Sequence, residues 1–311
     1  MTDALIDICM TTYNGAEWLE EFLLSLRRQT HHKWRLLVSD DGSKDGSLDI
    51  LCSFFNDDPN RLIVVDRPCI GTGIVRNFHD VLKASQADYV LLADQDDVWL
   101  PEKITTLFRA IEELEGSDKS PALIFSDMVV VDEHLNILSN SWWKYSGAKP
   151  QWALSFRNLL CQNTVPGCSL IINRSLLHAA LPIPVQALMH DWWLLLVCAI
   201  VGKTGYSPEK TVLYRRHKRA ATYSDMGGII AALGRFVFRG KTVRKDFNKT
   251  VLQALSLKLV YEKRLSKCDL RVLQEYIRAA EENWFVRRWL LIKNRIHRTT
   301  IKGSFRFYFW V

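Results

Sequence analysis

Five short apolar runs, each closed by a polar stretch, constrain this chain more than any other feature of its sequence. Ile6–Met10 ends in Thr11-Thr12-Tyr13-Asn14-Gly15, after which Leu19, Phe22, Leu23 and Leu26 recur at helical spacing. Trp34–Val38 stops at Asp40-Asp41-Gly42-Ser43, with a helix predicted over about Leu48–Phe55. Arg61–Val65 reads as a third strand and about Ile74–Ala84 as its helix. Tyr89–Ala93 stops at Asp94-Gln95-Asp96-Asp97. Pro101 then opens a helix with Ile104, Leu107, Phe108 and Ile111 on one face. Ala122–Phe125 is a fifth strand, closed by Ser126-Asp127. Strands alternating with helices imply right-handed crossovers and an α/β fold with a doubly wound, mostly parallel sheet flanked by helices.

The second half is less regular. Val129–Val131 and Asn136–Leu138 predict a small hairpin around Asp132-Glu133, and the tryptophan-rich residues 141–157 read as loop. Ser169–Ile172 and Thr211–Arg215 read as strands, and Trp192–Val201 as an apolar helix. Strand signals stop near residue 224. The expected division is a catalytic domain over 1–223 and a helical, basic extension over 224–311.

In an open α/β sheet, ligands bind beyond the carboxyl ends of the strands. One polar segment at such an end is an ordinary turn or cap; four at one edge make a candidate site. Asp94, Asp96 and Asp97 lie within four residues and repel one another unless a cation is near. Oxygen ligands suit Mg²⁺ or Mn²⁺, which bridges substrate phosphates.

Taken together, MTTYNG, SDDGSKDGS, ADQDDVWLPEK and HDWWL resemble the family 2 glycosyltransferases of GT-A fold, over about residues 5–217. The subgroup most similar is the bacterial rhamnosyltransferases, which share DQDDVWLPEK, HDWWL and a segment like Tyr214-Arg215-Arg216-His217. The resemblance implies an inverting, metal-dependent transfer of L-rhamnose from dTDP-L-rhamnose to a bacterial cell-surface glycan. That glycan would be O-antigen, lipopolysaccharide core or a rhamnose-containing polysaccharide. Thr11 and Tyr13 match positions contacting base and ribose. Asp41 matches the carboxylate that accepts from the pyrimidine N3–H, with Asp40 beside it. Arg76 matches a basic position near base or phosphates, and Gln95 lies within the D-x-D pair Asp94 and Asp96. Asp96 is the expected metal ligand, with Asp94 on ribose or metal and His217 as a third contact. Asp191 matches the catalytic base, although an Asp before a helix is also a favoured N-cap. His190, Trp192, Trp193 and Trp99 are the expected sugar or acceptor contacts. Trp142, Trp143 and Trp152 suit sugar contact and packing equally well. His217 has a rival reading as a surface histidine, because Lys218-Arg219-Ala220-Ala221 departs from the subgroup's pattern. A UDP-hexose donor, galactose or glucose, fits the same residues. A non-catalytic glycan- or membrane-binding protein on this fold is the remaining rival.

Charge separates the two parts. Residues 1–233 hold 22 Lys/Arg against 28 Asp/Glu, whereas residues 234–311 hold 19 against 6. The total of +7 therefore does not describe a nucleic-acid binder, whose positive charge would not rest on an acidic three-quarters. Seven cysteines without a C-x-x-C pair predict neither a disulfide framework nor a zinc ribbon. MTDALIDICM lacks a basic stretch before a long apolar one, so no secretory leader is expected. Phe285, Trp289, Ile292 and Ile296 form one helical stripe flanked by Arg287, Arg288, Lys293, Arg295 and Arg298. Such a helix fits an anionic membrane surface; packing on the catalytic domain or a second subunit is the competing reading. The expected location is the cytoplasm, peripheral on the inner face of the cytoplasmic membrane. The expected partners are a nucleotide sugar and a free or lipid-linked glycan acceptor.

Overall fold

Alternation of apolar side chains along the strands places two cores on opposite faces of one sheet. Ile6, Ile8 and Met10 point into one core, while Cys9 points into the other. The computed structural model describes residues 4–67, 69–217 and 232–311. Its strands are β1 (Ile6–Thr12), β2 (Trp34–Asp40), β3 (Leu62–Val64), β4 (Tyr89–Asp94), β5 (Val98–Trp99), β6 (Ala122–Val131), β7 (Ile137–Ser139), β8 (Leu170–Asn173) and β9 (Lys203–Arg215). They lie in the order β3-β2-β1-β4-β8-β6-β9-β5, with β7 paired to β6. The β3-β2-β1-β4 half is parallel, as is β6 with β9. β8 enters antiparallel between β4 and β6, and β5 pairs antiparallel with β9. The sheet is therefore mixed, with its parallel half where the strand–helix alternation predicts it.

Helices α1 (Ala16–Arg27), α2 (Ser47–Phe54), α3 (Ile74–Ala84) and α4 (Lys103–Glu115) are the expected crossovers. Residues 141–157 depart from the loop expectation. They form α5 (Trp142–Ser146), a 3₁₀ turn at Pro150–Leu154 and α6 (Phe156–Leu159). For α5 the reason is local capping: the Ser141 side chain accepts from the Lys144 amide and Gly147 closes the helix in the left-handed region. Next come α7 (Arg174–Ala180) and α8 (His190–Val201), followed by α9 (Ala232–Tyr261), α10 (Lys267–Ala279), α11 (Trp284–Lys293) and α12 (Ile301–Trp310).

The boundary expected at 223/224 lies outside the described residues, as do Lys218–Ala221. Phe247, Leu257, Tyr276, Leu290 and Phe307 belong to the same buried cluster as Trp193 and Leu194 of α8. The Leu188 amide donates to Gln253 Oε1 at 2.8 Å, and the Thr299 amide to Gln162 Oε1 at 3.1 Å. The basic helices thus share a core with the catalytic domain.

One buried acid holds the parallel half together. Asp7, fully buried in β1, accepts from Arg35 Nη2 at 2.9 Å. Its second oxygen accepts from Ser85 Oγ and the amides of Gln86 and Ala87 at 2.9–3.0 Å. Asp7→Ala leaves these donors without their acceptor and is expected to cost about 3–5 kcal/mol, measured by urea unfolding. Asp7→Asn, which keeps one acceptor oxygen, should cost less.

Candidate active site

Strand ends deliver the candidate residues to one edge of the sheet. β1 closes at the half-exposed Thr11, the buried Thr12 and the exposed Tyr13. Gln95, just past β4, staples this turn. It accepts from Thr12 Oγ1 at 2.5 Å and the Tyr13 amide at 3.1 Å, and its Nε2 donates to the Tyr13 carbonyl at 3.2 Å. Its amide is thus engaged in holding Tyr13. Gly15 makes room for it, since a Cβ there would sit 2.2 Å from Gln95 Oε1.

Asp40 and Asp41 do different work. Asp40 accepts from the amides of Gly42 and Ser43 at 2.9 and 2.8 Å and from Ser43 Oγ at 2.5 Å. It shapes the turn, in which Gly42 takes a φ of 92° that favours glycine. Asp41 accepts from Arg67 Nη1 at 2.7 Å and from the Thr72 and Gly73 amides at 3.1 and 3.0 Å. Partial burial alone would raise its carboxyl. The Arg67 and amide hydrogen bonds outweigh that and hold it below its ordinary value. Two ionised oxygens offer about four acceptor positions, so one remains for a ligand donor. Arg67 was not legible in the sequence. It is nearly buried and also pairs with Asp80 at 3.1 Å. Arg76, the expected basic contact, is half-exposed and pairs with Asp80 at 3.1 Å.

The three carboxylates after β4 separate by depth. Asp96 Oδ2 lies 2.7 Å from His217 Nε2, so the structure brings together the expected metal pair. Asp94, partly buried, stands near Asp96. Burial, then the charges of Asp96 and Asp191, raise its carboxyl above the usual value. Asp97 is buried, and one of its oxygens accepts from the Arg215 amide at 3.0 Å. Arg215 donates to the Asp96 carbonyl at 2.8 Å and the Glu133 carbonyl at 2.6 Å, pairs with Glu21, and lies 4.4 Å over the Trp18 ring. It thereby sets the loop from which His217 projects.

Asp94, Asp97 and Cys168 also approach within 4.8 Å of one another. This trio suits a hard cation poorly. Burial and the adjacent carboxylates keep Cys168 a thiol, and the buried Lys103 ammonium already faces it. A carboxylate oxygen and an imidazole nitrogen already meet at Asp96 and His217, and the Asp96 charge is felt by Asp94, so these residues fit a hard cation better. The raised Asp94 carboxyl, lifted by burial and by the charges of Asp96 and Asp191, marks a carboxylate set short of positive charge.

Asp191 sits in the first turn of α8, not before it. The N-cap is Met189, so the rival capping role falls to a different residue. Its Oδ1 accepts from the Trp192 amide at 2.6 Å, and the Gly167 amide and Asn163 side chain also donate toward it. Burial outweighs these bonds and raises its carboxyl to about 7. A carboxylate poised near neutrality is suited to general-base work.

Three of the four expected sugar contacts are core residues. Trp99 is 2% exposed, edge-on to Phe22, with Lys103 Nζ 4.0 Å over its ring. Trp193 is 1% exposed and its Nε1 donates to the Ala180 carbonyl at 2.9 Å. His190 stacks on Phe78 at 3.5 Å and is driven by burial to a pKa of about 3, hence neutral. These three side chains are therefore not free to meet an acceptor: the packing that seats α8 consumes the faces of His190 and Trp193, and Phe22 and Lys103 cover Trp99 of β5. Trp192 is the one of the four that is only partly buried, and its Nε1 donates to the Leu159 carbonyl at 2.6 Å. Asp127, expected at the edge, lies inside β6 and accepts from Ser141 Oγ at 2.6 Å, so it anchors α5.

Comparison with known proteins fits this geometry. The sequence model of glycosyl transferase family 2 matches residues 7–174, more than half of the chain. The chain belongs to this family. It is 26% identical over 259 residues to the dTDP-rhamnosyl transferase RfbG of Shigella flexneri, covering 77% of this chain and 82% of that one. It is 30% identical over 100 residues to the putative teichuronic acid biosynthesis glycosyltransferase TuaG of Bacillus subtilis, covering 32% and 39%. Among solved structures, S. aureus TarS 1-349 in complex with UDP-GlcNAc superposes with a TM-score of 0.60 at 14% identity, over 89% of this chain and 72% of that one. The mannosyltransferase PcManGT of Pyrobaculum calidifontis, in complex with GDP-Man and Mn²⁺, gives 0.56 at 13%, over 94% and 73%. The fold is GT-A, as the motifs imply, with helices added at the carboxyl end.

Gly167 is where backbone packing serves the family 2 site. A Cβ there would lie 2.9 Å from His190 Nε2 and 3.5 Å from Asp191 Cβ. Gly167→Ala is expected to push the start of α8 aside and lower transfer by roughly ten- to a hundredfold, a 1 Å displacement being worth about 10². Steady-state kinetics beside a thermal melt separates this loss from unfolding.

Proposed function

We propose that this protein is an inverting, metal-dependent glycosyltransferase that moves L-rhamnose from dTDP-L-rhamnose to a growing bacterial cell-surface glycan. The acceptor is met at the inner face of the cytoplasmic membrane. The observation that carries the chemistry is the gathering of Asp41, Asp94, the Asp96–His217 pair and Asp191 at one sheet edge. The donor sugar rests on the rhamnosyltransferase-like motifs and on the likeness to RfbG, a dTDP-rhamnosyl transferase.

In this reading the remaining lone pair of Asp41 accepts from the pyrimidine N3–H, while Tyr13, held by Gln95, lies beside base and ribose. The acceptor hydroxyl attacks the anomeric carbon from the face opposite the diphosphate. Asp191 takes the hydroxyl proton as the new C–O bond forms and the bond to the diphosphate oxygen breaks. The nucleoside diphosphate leaves with the bond's electron pair, and the configuration inverts. Asp96, His217 and Asp94 are the residues that would hold Mg²⁺ or Mn²⁺. Such a cation, when bound, neutralises charge on the departing diphosphate.

Transfer assayed with dTDP-rhamnose, UDP-glucose, UDP-galactose and UDP-GlcNAc tests the donor. A preference for any UDP sugar would overturn the rhamnosyl reading and leave the mechanism standing. Activity is expected to vanish in excess EDTA and return with Mg²⁺ or Mn²⁺.

Asp191 must be ionised to act, and burial has raised its pKa to about 7. The rate should therefore fall as pH drops through a limb at or below about 7, a nearby cation moving that limb downward. Asp191→Asn is expected to lower transfer by about 10²–10⁴-fold and abolish the limb, with nucleotide binding by calorimetry unchanged.

A further inference from the structure

The carboxyl-terminal helices bury only one face. On α11, Arg287, Leu290 and Leu291 face inward, with Arg287 donating to the carbonyls of Ala279 and Val311 at 2.7 and 2.6 Å. On α12, Phe307 is buried against Phe247 of α9. The opposite faces carry large apolar side chains in water. Trp284, Phe285, Trp289 and Ile292 of α11 are 48–76% exposed, and Ile301, Phe305 and Phe309 of α12 are 44–91% exposed. Ile296, expected in the same stripe, is buried, because the chain turns at Arg295 (φ 54°) after α11 ends.

The two exposed faces adjoin. Arg288 lies over the Trp284 ring and donates to the carbonyl of Phe309, joining the start of α11 to the end of α12. An open apolar hollow of about 430 Å³ runs along α12 between Ile301 and Trp310. Lys302 and Arg306 lie at its rim, both exposed. Residues 283–311 contain seven Lys/Arg and no Asp or Glu. Among the described residues, Lys293 is the one cation of these seven held by an acid side chain, Glu275 of α10, at 2.8 Å.

We infer that the α11–α12 face is a docking surface for an anionic lipid bilayer, with the aromatic side chains entering the headgroup–acyl boundary and Lys302 and Arg306 reaching lipid phosphates. Aromatic and aliphatic anchors rimmed by basic residues are what such an interface selects. A second copy of the chain fits less well. A two-fold contact would set this acid-free face against itself and oppose like charges. No helix among the described residues is long and apolar enough to cross a membrane, so attachment through these helices is peripheral.

Co-sedimentation of the full chain with vesicles tests the inference, and no nucleotide sugar is needed, so its outcome is independent of the donor assignment. Binding is expected to phosphatidylcholine–phosphatidylglycerol vesicles, to weaken with salt, and to be at least tenfold poorer on phosphatidylcholine alone. Lys302→Glu with Arg306→Glu should lower binding by tenfold or more, each basic residue being worth about 1 kcal/mol. Trp289→Ser with Phe305→Ser should do the same while leaving the thermal midpoint in place, since both side chains are exposed. Equal binding to neutral and anionic vesicles, no binding, or indifference to both double variants would overturn it. So would a wild-type dimer by light scattering that the Ser variant dissociates while vesicle binding is absent.

Discussion

Like charges crowded at one sheet edge are the constraint on which the rest of this structure depends. Asp94, Asp96 and Asp97 follow one strand, and Asp191 is near enough for its charge to raise Asp94 further. A buried carboxylate without a counter-charge costs several kcal/mol. The fold answers with cations placed beneath the edge. Lys103 is fully buried, its pKa lowered by burial to about 8 in spite of Cys168, Asp97 and Asp94 beside it. Arg215 is bonded on every side, and Arg67 serves Asp41. The unusual β5–β9 pairing has this meaning: it carries Arg215 and His217 back to the loop of Asp96 and Asp97.

The same cations connect parts of the site that are far apart in sequence. Lys103 donates to the carbonyl of Cys168. The neighbouring residue, Gly167, offers its amide to Asp191 and its missing side chain to His190. One buried lysine therefore ties the start of α4, directly after the acidic segment, to the turn that seats the candidate base. Rigid placement of this kind is what lets a carboxylate act on a hydroxyl without reorganising first.

Legibility in the sequence follows from how local each signal is. Strand ends were readable because Asp, Asn and Gly after an apolar run have few other uses, and Thr11, Tyr13, Asp41, Asp94, Asp96, His217 and Asp191 all lie at the predicted edge. Depth was not readable. Trp99, Trp193 and His190 stand near candidate residues in the chain, yet strand alternation turns Trp99 inward and helical periodicity does the same for His190 and Trp193. Arg67 sits in a segment with no motif, and nothing in its local sequence distinguishes it from a surface arginine. The antiparallel entry of β8 was hidden because a four-residue apolar strand carries no mark of its direction. Of the short helices over 142–159, α5 turns on a single Ser141 cap, within a tryptophan-rich stretch whose composition favours neither state.

The net charge of +7 resolves into an acidic part that holds a site and a basic part that holds a surface, and these are mechanically one body. α8, which carries Asp191 in its first turn, packs Trp193 against Tyr261 of α9, with ring centroids 6.1 Å apart. Phe247 of the same helix α9 packs on Phe307 of α12. A continuous buried cluster therefore runs from the helix of the candidate base to the helices with the exposed aromatic face. Close-packed cores transmit position with little give. The helix that carries Asp191 and the helices with the exposed aromatic face therefore hold fixed positions relative to one another.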